Sequence, residues 1–318
     1  MKKIPVHLIT GFLGAGKTTF LNHLIRSRQP ERQMIIENEV GKTNIDSKLV
    51  VGADLNVVEL TAGCLCCSLN DDLYRVLEEV SYRRDDFDRL LIETTGVADP
   101  ESLALPFLAS PAVERVFELR NTICLVDAEN IEHWLAETEE SRRQVAFADV
   151  ILLNKKDRVS EEDLERLSQL LSLINPYANV YTGTEGQFPV DEILGIQQLD
   201  AHGAVEKTDD IAPAHKHQVH GISTFTLTFD RAFNLNELGN ELVRLLNINR
   251  HQIYRIKGLI NADNYPVQVV LQSVRNTFRL SDGLPWPVDA PKESKIVFIG
   301  KEIKKEAVEK IFRRYLIK

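Results

Sequence analysis

The amino-acid sequence predicts an α/β domain, with a mostly parallel sheet and helices on both of its faces, followed by a smaller C-terminal α+β domain. Short β-rich runs alternate with helical patterns through the first two-thirds of the chain. Several of these runs, such as Leu90–Ile92 and Ile123–Val126, are continuously apolar, as strands covered by helices on both faces are. Beyond residue 220 a strand alternates apolar and polar residues, which is typical of a sheet with one wet face.

The individual elements follow from the same periodicity. In the first part of the chain the clearest helical patterns are Thr18–Arg26, Asp71–Tyr82 and Glu161–Leu173. Seven strands are predicted around them: Val6–Thr10, Met34–Glu37, Asn56–Glu59, Arg89–Glu93, Thr122–Val126, Val150–Leu153 and Asn179–Tyr181.

The stretch Asp200–His220 is predicted to be a linker, because it is polar, mixed in charge, and contains Pro213 and four of the eight histidines. It divides a first domain, residues 1–199, from a second domain, residues 221–318. In the second domain Phe225, Leu227 and Phe229 alternate with threonines as in an amphipathic strand. The further elements predicted there are helices at Leu235–Leu246 and Glu302–Arg314 and strands at Ile253–Leu259, Val267–Val274, Thr277–Leu280 and Ile296–Ile299.

Composition excludes several classes of protein. The chain has 318 residues, of which 43% are hydrophobic and 27% charged, and no apolar run approaches the ~18 residues of a spanning helix. The N-terminal segment Met1–Pro5 lacks the features of a signal peptide. A net charge of −9 disfavours nucleic acid and anionic membranes as partners. We therefore expect a cytoplasmic protein that binds neither.

Residues 11–18, GFLGAGKT, fit the phosphate-binding pattern G-x-x-x-x-G-K-[ST] between a predicted strand and a predicted helix. This context disfavours the alternative, a glycine-rich turn that only caps a helix, and makes the first domain a P-loop NTPase. Lys17 supplies a cation to the β- and γ-phosphates, and the Thr18 hydroxyl is expected to bind Mg²⁺. The residues expected to surround the phosphates are Gly11, Gly14, Ala15, Gly16, Lys17, Thr18 and Thr19.

Two further motifs follow buried strands. Glu93 ends the strand Arg89–Glu93 and is expected to act with Lys17 in catalysis, on the Mg²⁺ side, while Gly96 lets the backbone meet the γ-phosphate. The second motif, N-K-x-D at residues 154–157, predicts GTP rather than ATP. Asp157 offers acceptors to the guanine N1–H and amino group, which adenine lacks. Lys155 lays its stem over the base, and Asn154 holds the loop or reaches the base.

Three of the four cysteines, Cys64, Cys66 and Cys67, lie within four residues. Thiolates favour Zn²⁺, Cu(I) or iron–sulfur centres, and this spacing leaves at least one position of a zinc site to another ligand. A metal site is expected, with zinc ahead of cobalt; a redox-sensing cluster and inert buried thiols are the alternatives. The fourth, Cys124, lies in an apolar run and is expected to be a small buried hydrophobe.

Other ligands are available near this cluster. Glu37 or Glu39, after the P-loop helix, completes the metal site or responds to the γ-phosphate through Mg²⁺, and Asp46 is a further acid in the same region. A solvated acidic loop is the alternative for each of them. The histidines His215, His217 and His220 either capture metal weakly or are ordinary polar linker residues.

Taken in order, GFLGAGKTT, ENEVG, GCLCC, ETTG and NKKD resemble the CobW-like branch of the metal-associated P-loop GTPases, relatives of UreG and HypB. The resemblance extends to a CobW-type C-terminal domain, especially around residues 254–258 and 297–300. It implies a slow GTPase that couples GTP or GDP binding to holding a metal at Cys64, Cys66 and Cys67 and delivering it to a client metalloprotein; a homodimer is possible. One departure is Lys42, where many relatives carry an acid after the preceding glycine.

Two other functions remain open at this point. One is a GTP-gated interaction or regulatory protein whose cysteines form a structural zinc site or a redox site. Such a protein would lose its fold when a structural zinc is removed, whereas a carrier would stay folded. The other is a small-molecule kinase, which N-K-x-D disfavours.

Overall fold

The computed structural model describes residues 3–39, 56–61, 69–96, 99–196, 217–219, 221–287 and 291–317. The chain divides into two compact units. The first unit comprises Met1–Leu171 and Ala178–Gln198, and the second comprises Ser172–Tyr177 and Leu199–Lys318.

The first unit alternates strands and helices along the chain. Its strands are β1 (Ile4–Gly11), β2 (Gln33–Glu39), β3 (Asn56–Thr61), β4 (Arg89–Thr94), β5 (Phe117–Asp127), β6 (Val150–Asn154) and β7 (Asn179–Thr182). Its helices are α1 (Lys17–Ser27), α2 (Leu69–Tyr82), α3 (Pro100–Ala109), α4 (Pro111–Val116), α5 (Ile131–Glu137), α6 (Glu139–Phe147), α7 (Glu161–Ile174) and α8 (Val190–Gly195).

The seven strands form one parallel sheet in the order β3-β2-β4-β1-β5-β6-β7. Each strand predicted from sequence is present, and the prediction of a buried parallel sheet is confirmed. In parallel strands the carboxyl ends share one edge of the sheet, which is where ligands bind in such folds. The segments that follow β1, β4, β5 and β6 therefore gather at that edge.

Burial explains why these segments are strands. Val150 to Leu153 of β6 are fully buried, as are Leu8 and Ile9 of β1 and Leu90 to Ile92 of β4. Cys124 of β5 is buried as predicted, and burial raises the pKa of its thiol to about 12, so it behaves as a small apolar side chain.

The second unit is an antiparallel sheet with helices packed on its apolar side chains. Its strands are β8 (His217–Val219), β9 (Ile222–Phe229), β10 (Ile253–Ile260), β11 (Val267–Val274), β12 (Thr277–Pro285) and β13 (Ser294–Lys301), in the order β12-β11-β10-β13-β9-β8. Helices α9 (Leu235–Ile248) and α10 (Lys305–Phe312) supply Leu238, Leu242 and Phe312 to a core shared with Phe225 and Phe298. The predicted α+β domain is confirmed.

Two boundaries differ from the sequence prediction. Residues 217–219, placed in the linker, form the edge strand β8, which pairs with β9 as a hairpin because Gly221 takes a left-handed φ of 78° at the turn. The last helix begins at Lys305 rather than Glu302, since Glu302 has a φ of 55° that no helix accommodates. Within the described residues, no helix has both the length and the hydropathy needed to cross a bilayer.

Candidate functional site

The glycine-rich loop joins the central strand β1 to helix α1 at the carboxyl edge of the sheet. Gly11 has a φ of 138°, and a Cβ there would lie 2.2 Å from the carbonyl oxygen of Leu125 in the neighbouring strand β5. Gly16 is the N-cap of α1 with a φ of 98°. Glycine is thus required at position 11 for the close approach to β5 and at position 16 for the left-handed turn from which α1 begins. The free N–H groups of the first turn of α1 are suited to bind an anion.

Lys17 is buried at the first position of α1 and reaches back across the loop. Its Nζ donates hydrogen bonds to the carbonyl oxygens of Gly11, at 2.9 Å, and Phe12, at 3.3 Å. The ammonium group is therefore held against the backbone of the phosphate loop. Ala15 is buried in the same loop, while Gly14 and Thr19 face solvent.

Thr18 and Glu93 are far apart in sequence and in direct contact in the fold. The Thr18 hydroxyl donates to Oε1 of Glu93 over 3.0 Å. Glu93 lies at the carboxyl end of β4, where its register partner in β1 is Ile9. The parallel pairing of β1 with β4 thus brings the two residues predicted to bind Mg²⁺ together.

Gly96 packs directly on the phosphate loop. A Cβ at this position would lie 2.6 Å from the backbone nitrogen of Leu13. The Gly96 carbonyl oxygen accepts a hydrogen bond from Nε2 of Gln144, a buried residue of α6, at 3.2 Å. The segment after β4 is therefore held between the phosphate loop and α6.

Asn154 connects the phosphate loop to the loop that follows β7. Its Nδ2 donates to the carbonyl oxygen of Ala15 at 3.0 Å, and its Oδ1 accepts from the backbone N–H of Gly186 at 3.2 Å. Gly186 in turn lies so close to α1 that a Cβ would stand 2.7 Å from the nitrogen of Phe20. Of the two roles predicted for Asn154, these hydrogen bonds correspond to holding the loop.

The other two residues of N-K-x-D have different surroundings. Lys155 has a left-handed φ of 62°, and its Nζ lies 2.8 Å from Oδ2 of Asp127 at the end of β5. Asp157 lies in a single 3-10 turn and is exposed, with its carboxylate 3.5 Å from Nε of Arg158. The sheet thus brings Asn154 to the phosphate loop and leaves the Asp157 carboxylate at the surface.

The predicted transition-metal site falls largely outside the described residues. This applies to Cys64, Cys66, Cys67, Lys42, Asp46, His215 and His220. Glu37 is described and buried in β2, with Glu93 of β4 and Glu59 of β3 as its register partners. Over the part of the chain that the structure describes, no three His, Cys, Asp or Glu residues form a metal-binding group.

Three residues at the site were not identified from sequence. Asp127 could have been identified from sequence, because it ends the buried strand β5, which lies next to the strand β6 that leads into N-K-x-D. Gly186 lies in a Gly-Thr-Glu-Gly segment after β7, and its position depends on that turn. Gln144 lies within α6, and nothing in its sequence context distinguishes it from other helix residues.

Two family models match the chain. Residues 5–182 match the CobW/HypB/UreG nucleotide-binding domain, and residues 222–316 match the cobalamin synthesis protein cobW C-terminal domain. The zinc chaperone YjiA of Escherichia coli is 31% identical over 316 residues, which cover 98% of both chains. The zinc-regulated GTPase metalloprotein activator 1 of Schizosaccharomyces pombe is 30% identical, covering 87% of this chain and 76% of its own.

Solved structures of YjiA are also similar to this chain. The Zn(II)-bound YjiA GTPase of E. coli matches over 100% of both chains with a TM-score of 0.71 and 27% identity. A Zn(II)-bound E37A, C66A, C67A triple mutant of YjiA matches equally, at 26% identity.

Proposed function

The chain belongs to the CobW/HypB/UreG family, and from this premise we propose that it is a slow GTPase that couples its nucleotide state to holding zinc and delivering it to a client metalloprotein. The 3.0 Å hydrogen bond between Thr18 and Glu93 carries the nucleotide half of the proposal. It supports a preformed cation site beside the phosphate loop, and the cytoplasm is the proposed compartment.

The Thr18 hydroxyl and the Glu93 carboxylate are oxygen ligands of the kind that Mg²⁺ prefers, and they stand beside the ammonium group of Lys17. These residues therefore fit a Mg²⁺ ion. When bound, Mg²⁺ neutralises charge on the β- and γ-phosphates of GTP. Lys17 exchanges its carbonyl partners for phosphate oxygens, and the first N–H groups of α1 cradle the same phosphates.

Guanine recognition rests on the segment after β6. The exposed Asp157 carboxylate accepts from the guanine N1–H and amino groups, while Asn154 keeps this segment fixed to the phosphate loop. The segment that binds the base and the loop that binds the phosphates are thereby joined by a hydrogen bond. Because the sequence motifs identify no general base or arginine finger, hydrolysis is slow until a client or a metal stimulates it.

The metal half rests on Cys64, Cys66 and Cys67, with Glu37 as the candidate additional ligand. Thiolates and a carboxylate form a donor set suited to Zn²⁺, and Co²⁺ is the second choice. Relatives named zinc chaperone support this assignment.

The register of the sheet supports a route between the two sites. Glu37 and Glu93 are direct partners on adjacent parallel strands, whose backbones lie about 4.8 Å apart. Paired positions of neighbouring strands face the same side of the sheet. A cation bound by Glu93 therefore changes the electrostatic potential at Glu37, so that nucleotide and zinc alter each other's affinity reciprocally.

The nucleotide half is tested by comparing hydrolysis of GTP and ATP by the wild type and by Asp157→Asn. We expect the wild type to prefer GTP and the variant to lose most of that preference, because its amide replaces an acceptor with a donor. Asp163→Asn is the matched control, since Asp163 pairs with Arg166 on the surface of α7. A wild-type protein that hydrolyses ATP as readily as GTP would overturn the proposal.

A further inference from the structure

We infer that Asp127 is a positioning residue for guanine binding, which fixes Lys155 in place before the base arrives; this inference rests on the proposed GTPase function. Asp127 is the last residue of β5 and the register partner of Asn154 in β6. The backbone N–H of Ala128 also donates to the Asn154 carbonyl oxygen at 3.0 Å. The carboxylate thus sits at a fixed distance from the N-K-x-D segment.

Three donors converge on the Asp127 carboxylate. Nζ of Lys155 lies 2.8 Å from Oδ2, the backbone N–H of Glu129 donates to Oδ1 at 3.0 Å, and Nδ2 of Asn130 donates to Oδ2 at 3.0 Å. Burial alone would raise the pKa of Asp127, but these hydrogen bonds outweigh it and hold the pKa below its ordinary value. The Asp127 carboxylate is therefore an anion of fixed orientation at neutral pH. The donors from Glu129 and Asn130 lie in the turn that directly follows Asp127.

Lys155 needs such an anchor. Its left-handed φ of 62° is uncommon for a residue other than glycine, asparagine or aspartate, and its side chain is 35% exposed. A free lysine side chain would sample many rotamers, and ordering it on binding would weaken affinity. The bond to Asp127 fixes the end of the chain, so the aliphatic stem presents one face to an incoming base without further ordering.

This role is separable from phosphate binding. The side-chain hydrogen bonds described above at the phosphate loop run from Lys17 to Gly11 and Phe12, from Asn154 to Ala15 and from Thr18 to Glu93. None of them involves the Asp127 carboxylate. Loss of that carboxylate should therefore weaken interactions with the base and spare those with the phosphates.

The experiment measures the affinities of GDP and of inorganic tripolyphosphate, both with Mg²⁺, for the wild type and Asp127→Asn. We expect GDP affinity to fall about tenfold, as for loss of one preorganising contact, with tripolyphosphate affinity and the turnover number at saturating GTP unchanged. Asp163→Asn is again the matched control. In the Lys155→Met background, Asp127→Asn should have no further effect, because its action passes through Lys155.

Equal losses of GDP and tripolyphosphate affinity, or an additive effect in the Lys155→Met background, would overturn the inference. Unchanged GDP affinity in Asp127→Asn would do the same while leaving the GTPase proposal intact. A wild-type protein that prefers ADP to GDP would overturn the proposed function itself. If Asp127→Asn fails to fold, Asp127→Glu keeps the charge but moves the carboxylate by one methylene, and the same selective loss of GDP affinity is expected.

Discussion

The hydroxyl of Thr18, in the first turn of α1, donates a 3.0 Å hydrogen bond to the carboxylate of Glu93 at the end of β4. The two residues are 75 positions apart and meet because β1 and β4 are adjacent parallel strands. Through this contact the phosphate loop is joined to the segment containing Gly96, which packs on Leu13 of the same loop. If Thr18 binds the cation as proposed, we expect a displacement of Thr18 to affect the segment after β4.

Removing the charge of Glu93 tests the cation site. Glu93→Gln is expected to lower GTP affinity in Mg²⁺ about tenfold or more and to slow hydrolysis, because a carboxylate is replaced by a weaker neutral ligand. GDP affinity measured in EDTA should change little. Titrations with and without Mg²⁺ decide this, with Glu114→Gln, at a surface pair with Lys3, as the control. Equal losses with and without Mg²⁺ would argue for a purely structural role.

Two glycines of the phosphate loop should respond differently to alanine. At Gly11 the new Cβ would lie 2.2 Å from the Leu125 carbonyl oxygen, whereas at Gly14 it would meet nothing within 4 Å. We expect Gly11→Ala to reduce the free energy of unfolding by roughly 3 kcal/mol or more, since backbone must shift. Gly14→Ala should cost only about 1–2 kcal/mol, for its left-handed φ of 77°. Urea unfolding of both variants measures this; similar losses would contradict the explanation.

Trp134 should report nucleotide binding by fluorescence. Its ring packs against Phe12 of the phosphate loop in a tilted arrangement, with ring centroids 4.3 Å apart and planes inclined by 31°. We expect GDP bound at the phosphate loop to alter this contact, so tryptophan emission should change on titration with GDP. The chain has only two tryptophans, so Trp134→Phe should abolish the response while Trp286→Phe keeps it. A response that survives Trp134→Phe would show that the loop contact does not change.

Stability should fall in acid because of His7. Burial, then the positive charge of Arg89, lowers the pKa of His7 to about 3, although a hydrogen bond to Asn121 opposes this. The unfolded chain binds a proton below its ordinary value near 6.5, and the folded chain does not until about pH 3. The contribution of neutral His7 is therefore present above pH 6.5 and lost as pH falls toward 3, at roughly 1 kcal/mol per pH unit.

His7→Gln should flatten this part of the stability curve, measured by urea unfolding between pH 7 and 4. The variant keeps a polar side chain between Arg89 and Asn121, both of which contact His7. His133→Gln, at an exposed histidine of α5, is the matched control for loss of a histidine. An unchanged slope in His7→Gln would mean that other groups govern the acid sensitivity.

The fold was largely predictable, because continuous apolar runs such as Val150–Leu153 have few alternatives to a doubly covered strand. The positions of Glu93 and Asn154 at the carboxyl edge of the sheet were predictable as well, since the carboxyl ends of parallel strands converge. Asp127, Gly186 and Gln144 were missed because their contacts depend on how loops and a helix pack, and packing has no period in the sequence. Strand β8 was missed because a three-residue edge strand in a polar segment has almost no apolar pattern.

The central claim is that nucleotide state and zinc affinity are coupled. It is tested most directly by measuring zinc affinity with a competing chelator in the presence of GTP, GDP or neither, for the wild type, Cys66→Ser and Glu93→Gln. We predict tight binding that requires Cys66, differs about fivefold or more between GTP and GDP, and loses that difference in Glu93→Gln. Zinc affinity that is identical in all three nucleotide states would contradict the account and leave the cysteines as a structural or redox site on a GTPase.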